Sequence, residues 1–204
     1  GFLKNYDFNK WKKYGVPLKR GILLYGPPGT GKSHIAKIII SNILNKKYSK
    51  KFTYLHVTAK TIIDIKDVKS LFDMARKLAP SIVFIEDIDL IAGTDTNDRA
   101  KIKNELMQQL SGVESLKGVL TIGTTNYFSE IDSPLKRSKR LGYHRKVGRP
   151  KYKERMGLFK LFSRKLDTSK IDWDEYVQVS EGMTGADIQE IIIMATEKSV
   201  REQS

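Results

Sequence analysis

Eight residues, Gly26-Pro27-Pro28-Gly29-Thr30-Gly31-Lys32-Ser33, restrict what this chain can become more than any other stretch. Before them stands Gly21-Ile22-Leu23-Leu24-Tyr25, an apolar run of strand length. After them, His34-Ile35-Ala36-Lys37-Ile38-Ile39-Ile40 has the apolar spacing of a buried helix. The glycines therefore occupy a turn between a strand and a helix, the setting a phosphate-cradling loop requires. Glycine lets successive backbone N–H groups curl around an anion, because no Cβ blocks those dihedrals. The positive end of the following helix adds to the attraction. Lys32 offers a point charge to β- and γ-phosphate oxygens. Ser33 offers a hydroxyl to Mg²⁺, a hard ion that prefers oxygen ligands. A turn that binds nothing needs one or two glycines, not three at these offsets followed by Lys-Ser.

A second feature lies farther along. Ser81-Ile82-Val83-Phe84-Ile85 is apolar throughout after its serine, as in a parallel strand buried on both faces. It runs into Glu86-Asp87-Ile88-Asp89. Two acids at the exit of a buried strand are costly if idle. Open α/β sheets bind ligands beyond the carboxyl ends of their strands. One acid would hold Mg²⁺, usually through its waters, and the other would polarise an attacking water. Val119 to Thr124 reads as the next strand, followed by Thr125-Asn126. The Asn126 amide either orients a water against the γ-phosphate or forms a turn.

The remaining pattern alternates strands and helices. Phe2 to Arg20 mixes aromatics with lysines and suggests one or two short helices broken at Gly15-Val16-Pro17, with Tyr14-Gly15-Val16 as an optional adenine wall. Asn45 to Lys51 is a basic connector, and Phe52 to Val57 alternates as a strand, with His56 an ordinary member of it. Val68, Leu71, Phe72, Ala75 and Leu78 mark a helix that Pro80 ends, and Arg99 to Ser111 is another. Tyr143 to Val147 fits a short final strand. Gly148-Arg149-Pro150 then breaks the chain, which places a domain boundary there: residues 1–149 form a large α/β domain and 150–204 a small helical lid. In the lid, Thr184 caps a last helix and Asp187 reaches back to it.

The 204 residues suit one α/β core with a small appendage. No stretch approaches the roughly 18 consecutive apolar residues that span a bilayer. The chain contains no cysteine, which excludes disulfides and thiolate metal sites and fits a reducing, cytoplasmic setting. It does not begin with Met, so the natural N-terminus is expected to lie upstream of Gly1. The net charge of +14 suits nucleic acid or an anionic membrane surface, or simply a lysine-rich, soluble exterior. Between Lys136 and Arg155 there are ten Lys or Arg and one acid, Glu154.

Taken in order, the glycine loop, the acidic strand end, the strand ending in Asn, the arginine pair and the helical lid resemble an AAA-type ATPase module over nearly the whole chain. The resemblance implies a P-loop NTPase fold: a parallel five-stranded sheet with helices on both faces, followed by a C-terminal helical lid. Gly26, Pro27, Pro28, Gly29, Thr30, Gly31, Lys32 and Ser33 are similar to the Walker A motif, and His34 adjoins it. Ile82 to Asp89 is similar to Walker B, Asn126 to sensor 1, and Gly185-Ala186-Asp187 to the sensor-2 region. Arg137 and Arg140 fall where the family's arginine fingers lie. The resemblance implies ATP or ADP with Mg²⁺, Ser33 and Glu86 on the metal side, and a ring, usually a hexamer. It also implies a protein partner that the ring remodels or translocates. A nucleic-acid-associated loader and a nucleotide-gated assembly switch with slow turnover stay open beside it.

Two departures from the family pattern stand out. The acids run Glu86 then Asp87, where the usual order is Asp then Glu. The branch that translocates the Rieske protein across the mitochondrial inner membrane also carries Glu-Asp, and is similar over Trp11 to Ser33 and Tyr143 to Gly148. By position, Glu86 takes the metal role and Asp87 the water-polarising role. The second departure is the stretch Ala59 to Lys66, which lacks the aromatic and glycine that protein-threading relatives carry there. Ile62 and Ile63 either grip a substrate or belong to the core.

Overall fold

A computed structural model describes residues 21–44, 52–92, 97–111, 118–137 and 140–202. The candidate adenine wall and the basic connector lie outside them. The described residues divide into two compact units: those within 21–25 and 33–146, and those within 26–32 and 147–202.

The first unit is built on five strands: β1 (Gly21–Tyr25), β2 (Thr53–Thr58), β3 (Ser81–Glu86), β4 (Val119–Thr125) and β5 (Tyr143–Lys146). They form one sheet in the order β2-β3-β4-β1-β5, and every pairing is parallel. The helices of this unit are α1 (Lys32–Leu44), α2 (Ile65–Lys77), a single turn α3 (Asp89–Ala92) and α4 (Asn97–Ser111), with a 3₁₀ turn at Ala59–Thr61. The α/β reading with a five-stranded parallel sheet holds.

The apolar runs explain why β1 and β3 are interior strands. Leu23, Val83 and Ile85 join one cluster with Val68, Phe72 and Ala75 of α2 and Ile102, Leu106 and Leu110 of α4. Successive strand residues point to opposite faces, so Ile22, Leu24, Ile82 and Phe84 face the other side, and they too are buried. Each such side chain contributes about 1.5–3 kcal/mol when fully buried. β2 is an edge strand with half-buried Leu55 and Val57 on the first face and Tyr54 and His56 on the second. The register sets Thr58 opposite Glu86 and His56 opposite Phe84.

Ile62 and Ile63, adjacent in sequence, separate here. Ile62 belongs to the core cluster, whereas Ile63 is 81% exposed. The backbone N–H groups of Ile63 and Asp64 both donate to the Asp67 carboxylate, at 2.8 and 2.9 Å, which closes the start of α2. Those two bonds hold the Asp67 carboxyl below its ordinary value.

The second unit packs α5 (Tyr152–Phe162), α6 (Trp173–Val179) and α7 (Gly185–Glu202) around Phe159, Val177 and Ile188. Arg155 is buried among them. Its guanidinium donates to Ser180 Oγ at 3.1 Å, to Pro150 O at 3.1 Å and to Val177 O at 3.0 Å. A buried cation with these acceptors ties α5 to α6 and to Pro150, two residues ahead of α5. The start of α7 is a reciprocal cap. Asp187 N–H donates to Thr184 Oγ1 at 3.3 Å, and Thr184 N–H donates to the Asp187 carboxylate at 2.7 Å. The Thr184 bonds, backbone first, pull the Asp187 carboxyl below the usual value. Among the described residues no helix is long and apolar enough to cross a membrane.

Candidate functional site

The glycine loop leaves the sheet at Tyr25, the C-terminal end of β1. Backbone geometry accounts for its composition. Gly26 has φ +150°, and a Cβ there would lie 2.0 Å from the Val147 carbonyl oxygen, so no side chain fits. Gly31 has φ +89°, a left-handed conformation that costs other residues strain. Thr30 Oγ1 donates to Pro27 O at 2.8 Å and tightens the turn. Lys32 opens α1 and is 7% exposed. Its ammonium donates to the loop's own carbonyls, Gly26 O at 2.9 Å and Pro27 O at 2.7 Å. Ser33 follows half-buried in the first turn of the helix, and His34 is exposed.

The same unit brings the start of α7 against this loop. Ala186 N–H donates to Gly29 O at 3.2 Å. A Cβ on Gly29 would meet Thr184 Oγ1 at 2.6 Å and the Ala186 Cβ at 3.1 Å. Gly185 approaches Gly29 O as well. Four residues read from sequence, Gly26, Gly29, Gly185 and Ala186, are thus in or against one turn.

Glu86, Asp87 and Asn126 belong to the other unit. All three stand at the C-terminal ends of neighbouring parallel strands, Glu86 and Asp87 at the end of β3 and Asn126 just past β4. Parallel pairing puts these ends on the same sheet edge as Tyr25. Glu86 and Asp87 are half-buried. Asp87 has φ 52°, left-handed for a residue with a side chain; Asp tolerates this better than most. Thr124 holds it there. Asp87 N–H donates to Thr124 Oγ1 at 3.3 Å, and Ile88 N–H donates to Thr124 O at 2.9 Å. Beyond Asn126, Phe128 stacks on Tyr25 with ring centroids 4.1 Å apart. That contact pins the loop after β4 to the end of β1.

The two arginines differ. Arg137 is exposed. Arg140 is half-buried and engaged within its own chain: its guanidinium donates to Ser111 Oγ and, at 2.7 Å, to Pro134 O. Burial first, then the like charge of Arg137, pulls the Arg140 guanidinium below the ordinary arginine value.

Two partners of these residues were not singled out from sequence. His56 Nε2 lies 3.2 Å from Glu86 Oε2. Thr124 carries the bonds that fix Asp87. Strand alternation places His56 on the Phe84 face of β2, but only the pairing of β2 with β3 brings it to Glu86.

Among the described residues no cluster of three or more histidines and carboxylates would cage a metal ion. The Ser33 hydroxyl and the carboxylates of Glu86 and Asp87 are hard oxygen donors. Such a sparse, hard donor set fits Mg²⁺, which keeps several waters and shares phosphate oxygens rather than sitting in an all-protein cage.

Comparison with known proteins agrees with this geometry. The chain is 31% identical over 214 residues to the proteasome-activating nucleotidase of Saccharolobus solfataricus, covering 98% of this chain and 52% of that protein. It is 30% identical over 203 residues to the proteasome-activating nucleotidase of Archaeoglobus fulgidus, covering 93% and 49%. It is 31% identical over 217 residues to the ATP-dependent zinc metalloprotease FtsH of Mycoplasmopsis pulmonis, covering 100% of this chain and 29% of that protein. The chain therefore spans about half the length of the two nucleotidases and less of FtsH. Residues 22–149 match the model of the ATPase family associated with various cellular activities. With the loop, the acidic strand end and the five-stranded parallel sheet in the order described, this chain belongs to that AAA family.

Proposed function

We propose that the chain binds ATP and hydrolyses it to ADP and phosphate, acting as one subunit of a ring, six-membered by analogy, that remodels or translocates a protein partner. The observation that carries the reading is the loop 26–32: three glycines with positive φ and an almost buried Lys32 whose ammonium is held by the loop's own carbonyls. An incoming triphosphate offers that ammonium stronger, charged acceptors.

Backbone N–H groups from Gly29 to Lys32 hold the phosphates, and Lys32 shifts its donors from carbonyls to phosphate oxygens. His34, Gly185 and Ala186 border the nucleotide. Ser33 and Glu86 would hold Mg²⁺, which would supply neutralisation of phosphate charge. Asp87 accepts a proton from the attacking water, and Asn126 orients that water. Arg137 and Arg140 serve the neighbouring subunit's γ-phosphate. The names of the relatives support protein as the partner: one kind activates proteasomes and the other is a protease.

Asp87→Asn is the sharpest test of this chemistry. Asn accepts a left-handed backbone as Asp does, so the backbone bonds donated to Thr124 survive. The variant is expected to bind ATP within about twofold of the parent while phosphate release falls by about 10²-fold or more. Undiminished phosphate release, measured at saturating ATP, would remove Asp87 from the base role.

A further inference from the structure

The face of β2 away from the main core carries a ladder of flat side chains. Tyr54 and His56 stack at 5.9 Å between ring centroids and 13° between planes, and His56 stacks on Phe84 of β3 at 4.9 Å and 12°. The stack fixes the imidazole plane. Its Nε2 lies 3.2 Å from Glu86 Oε2. The His56 and Glu86 side chains are 34% and 19% exposed, so the contact is partly sheltered from water. Tyr54 senses the same acid: burial first, then the Glu86 charge, raises its phenol above the usual value. Glu86 is thus the carboxylate at the end of an aromatic ladder that begins at the sheet edge.

We propose that His56 is a positioning residue for Glu86. With a proton on Nε2, the imidazole donates to Oε2 and fixes the carboxylate's rotamer. Oε1 is then left to receive a hydrogen bond from water on Mg²⁺. Carboxylates that serve metals are commonly held in this way, and loss of the outer partner costs about 10–100-fold in metal affinity or activity. A carboxylate without its partner samples several rotamers, and only one serves the metal. The inference rests on the metal-side role of Glu86 given under Proposed function.

Two roles of His56 can be separated, because the ring stacks and the N–H donates. His56→Phe keeps a flat ring on Phe84 and lacks the donor. His56→Gln loses the ring and keeps an N–H at similar reach. The full chain and both variants are titrated with ATP by calorimetry, once in excess Mg²⁺ and once in a chelator, and the ratio of the two affinities is compared. Thermal midpoints are recorded in parallel. In His56→Phe the Mg²⁺-dependent gain in affinity is expected to fall about tenfold, with affinity in chelator unchanged. His56→Gln is expected to recover most of the gain despite a lower thermal midpoint. If His56→Phe does not fold, His56→Met supplies a donor-free side chain of similar length. A gain in the donor-free variant equal to that of the parent would overturn the inference while leaving Glu86 in its role. Equal losses in the Gln and donor-free variants would also overturn it, since a retained N–H would then fail to restore the gain. A parent chain whose ATP affinity ignores Mg²⁺ would instead remove the Glu86 role, and the inference with it.

Discussion

Lys32→Ala is expected to weaken ATP binding by at least about 10²-fold. The substitution removes a charge from a sheltered place. Lys32 is 7% exposed and sits where α1 begins. Hydrogen bonds to charged partners contribute about 1.5–3 kcal/mol each. Two such bonds to phosphate oxygens therefore correspond to about 10²–10⁴ in affinity. Alanine also strips the Gly26 and Pro27 carbonyls of the Lys32 donor. The variant therefore has a less ordered loop as well as a missing charge. Lys32→Met separates the two effects, because it restores volume without restoring the cation. Both variants should fail to bind in the same calorimetric titration, with Met closer to the parent in thermal midpoint. ATP affinity unaltered in Lys32→Met would show that the phosphates do not lie in this loop.

The second large effect is expected from Arg137→Ala, and it is conditional on assembly. An arginine supplied to a neighbour's γ-phosphate accounts for about 10³–10⁵ in rate. Arg137 is the exposed member of its pair, whereas Arg140 is tied to Ser111 and Pro134 of its own chain. Arg137→Ala should therefore bind ATP normally and lose at least about 10³-fold in turnover. Arg140→Ala should lose thermal stability too, since it leaves the Pro134 carbonyl without that donor. Mixing tests whether the arginine acts in trans. Lys32→Ala subunits cannot bind ATP but keep their arginine, and Arg137→Ala subunits bind ATP but lack it. Each is inactive alone, and a mixture should recover measurable phosphate release. A mixture as inactive as its parts, under conditions where the two co-assemble, would place Arg137 outside the neighbour's site.

Much of this was legible in the linear chain, for a physical reason. A phosphate loop is a local structure: its glycines, lysine and serine must be contiguous, so spacing alone reveals it. The apolar run of β3 is likewise local, because a strand covered on both faces needs apolar side chains at every position. The cap of α7 is another case, since Thr184 and Asp187 meet through a single turn.

What the chain hid depends on pairing between distant segments. His56 reads as one polar residue in an alternating strand. Its meeting with Glu86 requires β2 to lie beside β3 in one register, and a shift of one residue would turn it to the other face. Thr124 lies 37 residues from Asp87, and only the β3–β4 pairing brings them together. Arg140 looked equivalent to Arg137 because both are basic residues in a basic run; Ser111, 29 residues away, distinguishes them. Ile62 and Ile63 could not be assigned from hydropathy, because the 3₁₀ turn at Ala59–Thr61 decides which one enters the core. The grouping of Gly26–Lys32 with Val147–Ser204 was hidden too. It comes from backbone contacts, Gly26 against Val147 and Ala186 against Gly29, that no side-chain pattern announces.

The central claim is that a triphosphate lies on the backbone amides of the turn after Tyr25, with Glu86 and Asp87 serving it. A crystal structure of the Asp87→Asn chain grown with ATP and Mg²⁺ tests this most directly. The account predicts density for the β- and γ-phosphates against the N–H groups from Gly29 to Lys32, with the Lys32 ammonium moved from the Gly26 and Pro27 carbonyls onto phosphate oxygens. Nucleotide bound elsewhere, or a Lys32 still bonded to both carbonyls in a nucleotide-loaded chain, would contradict it.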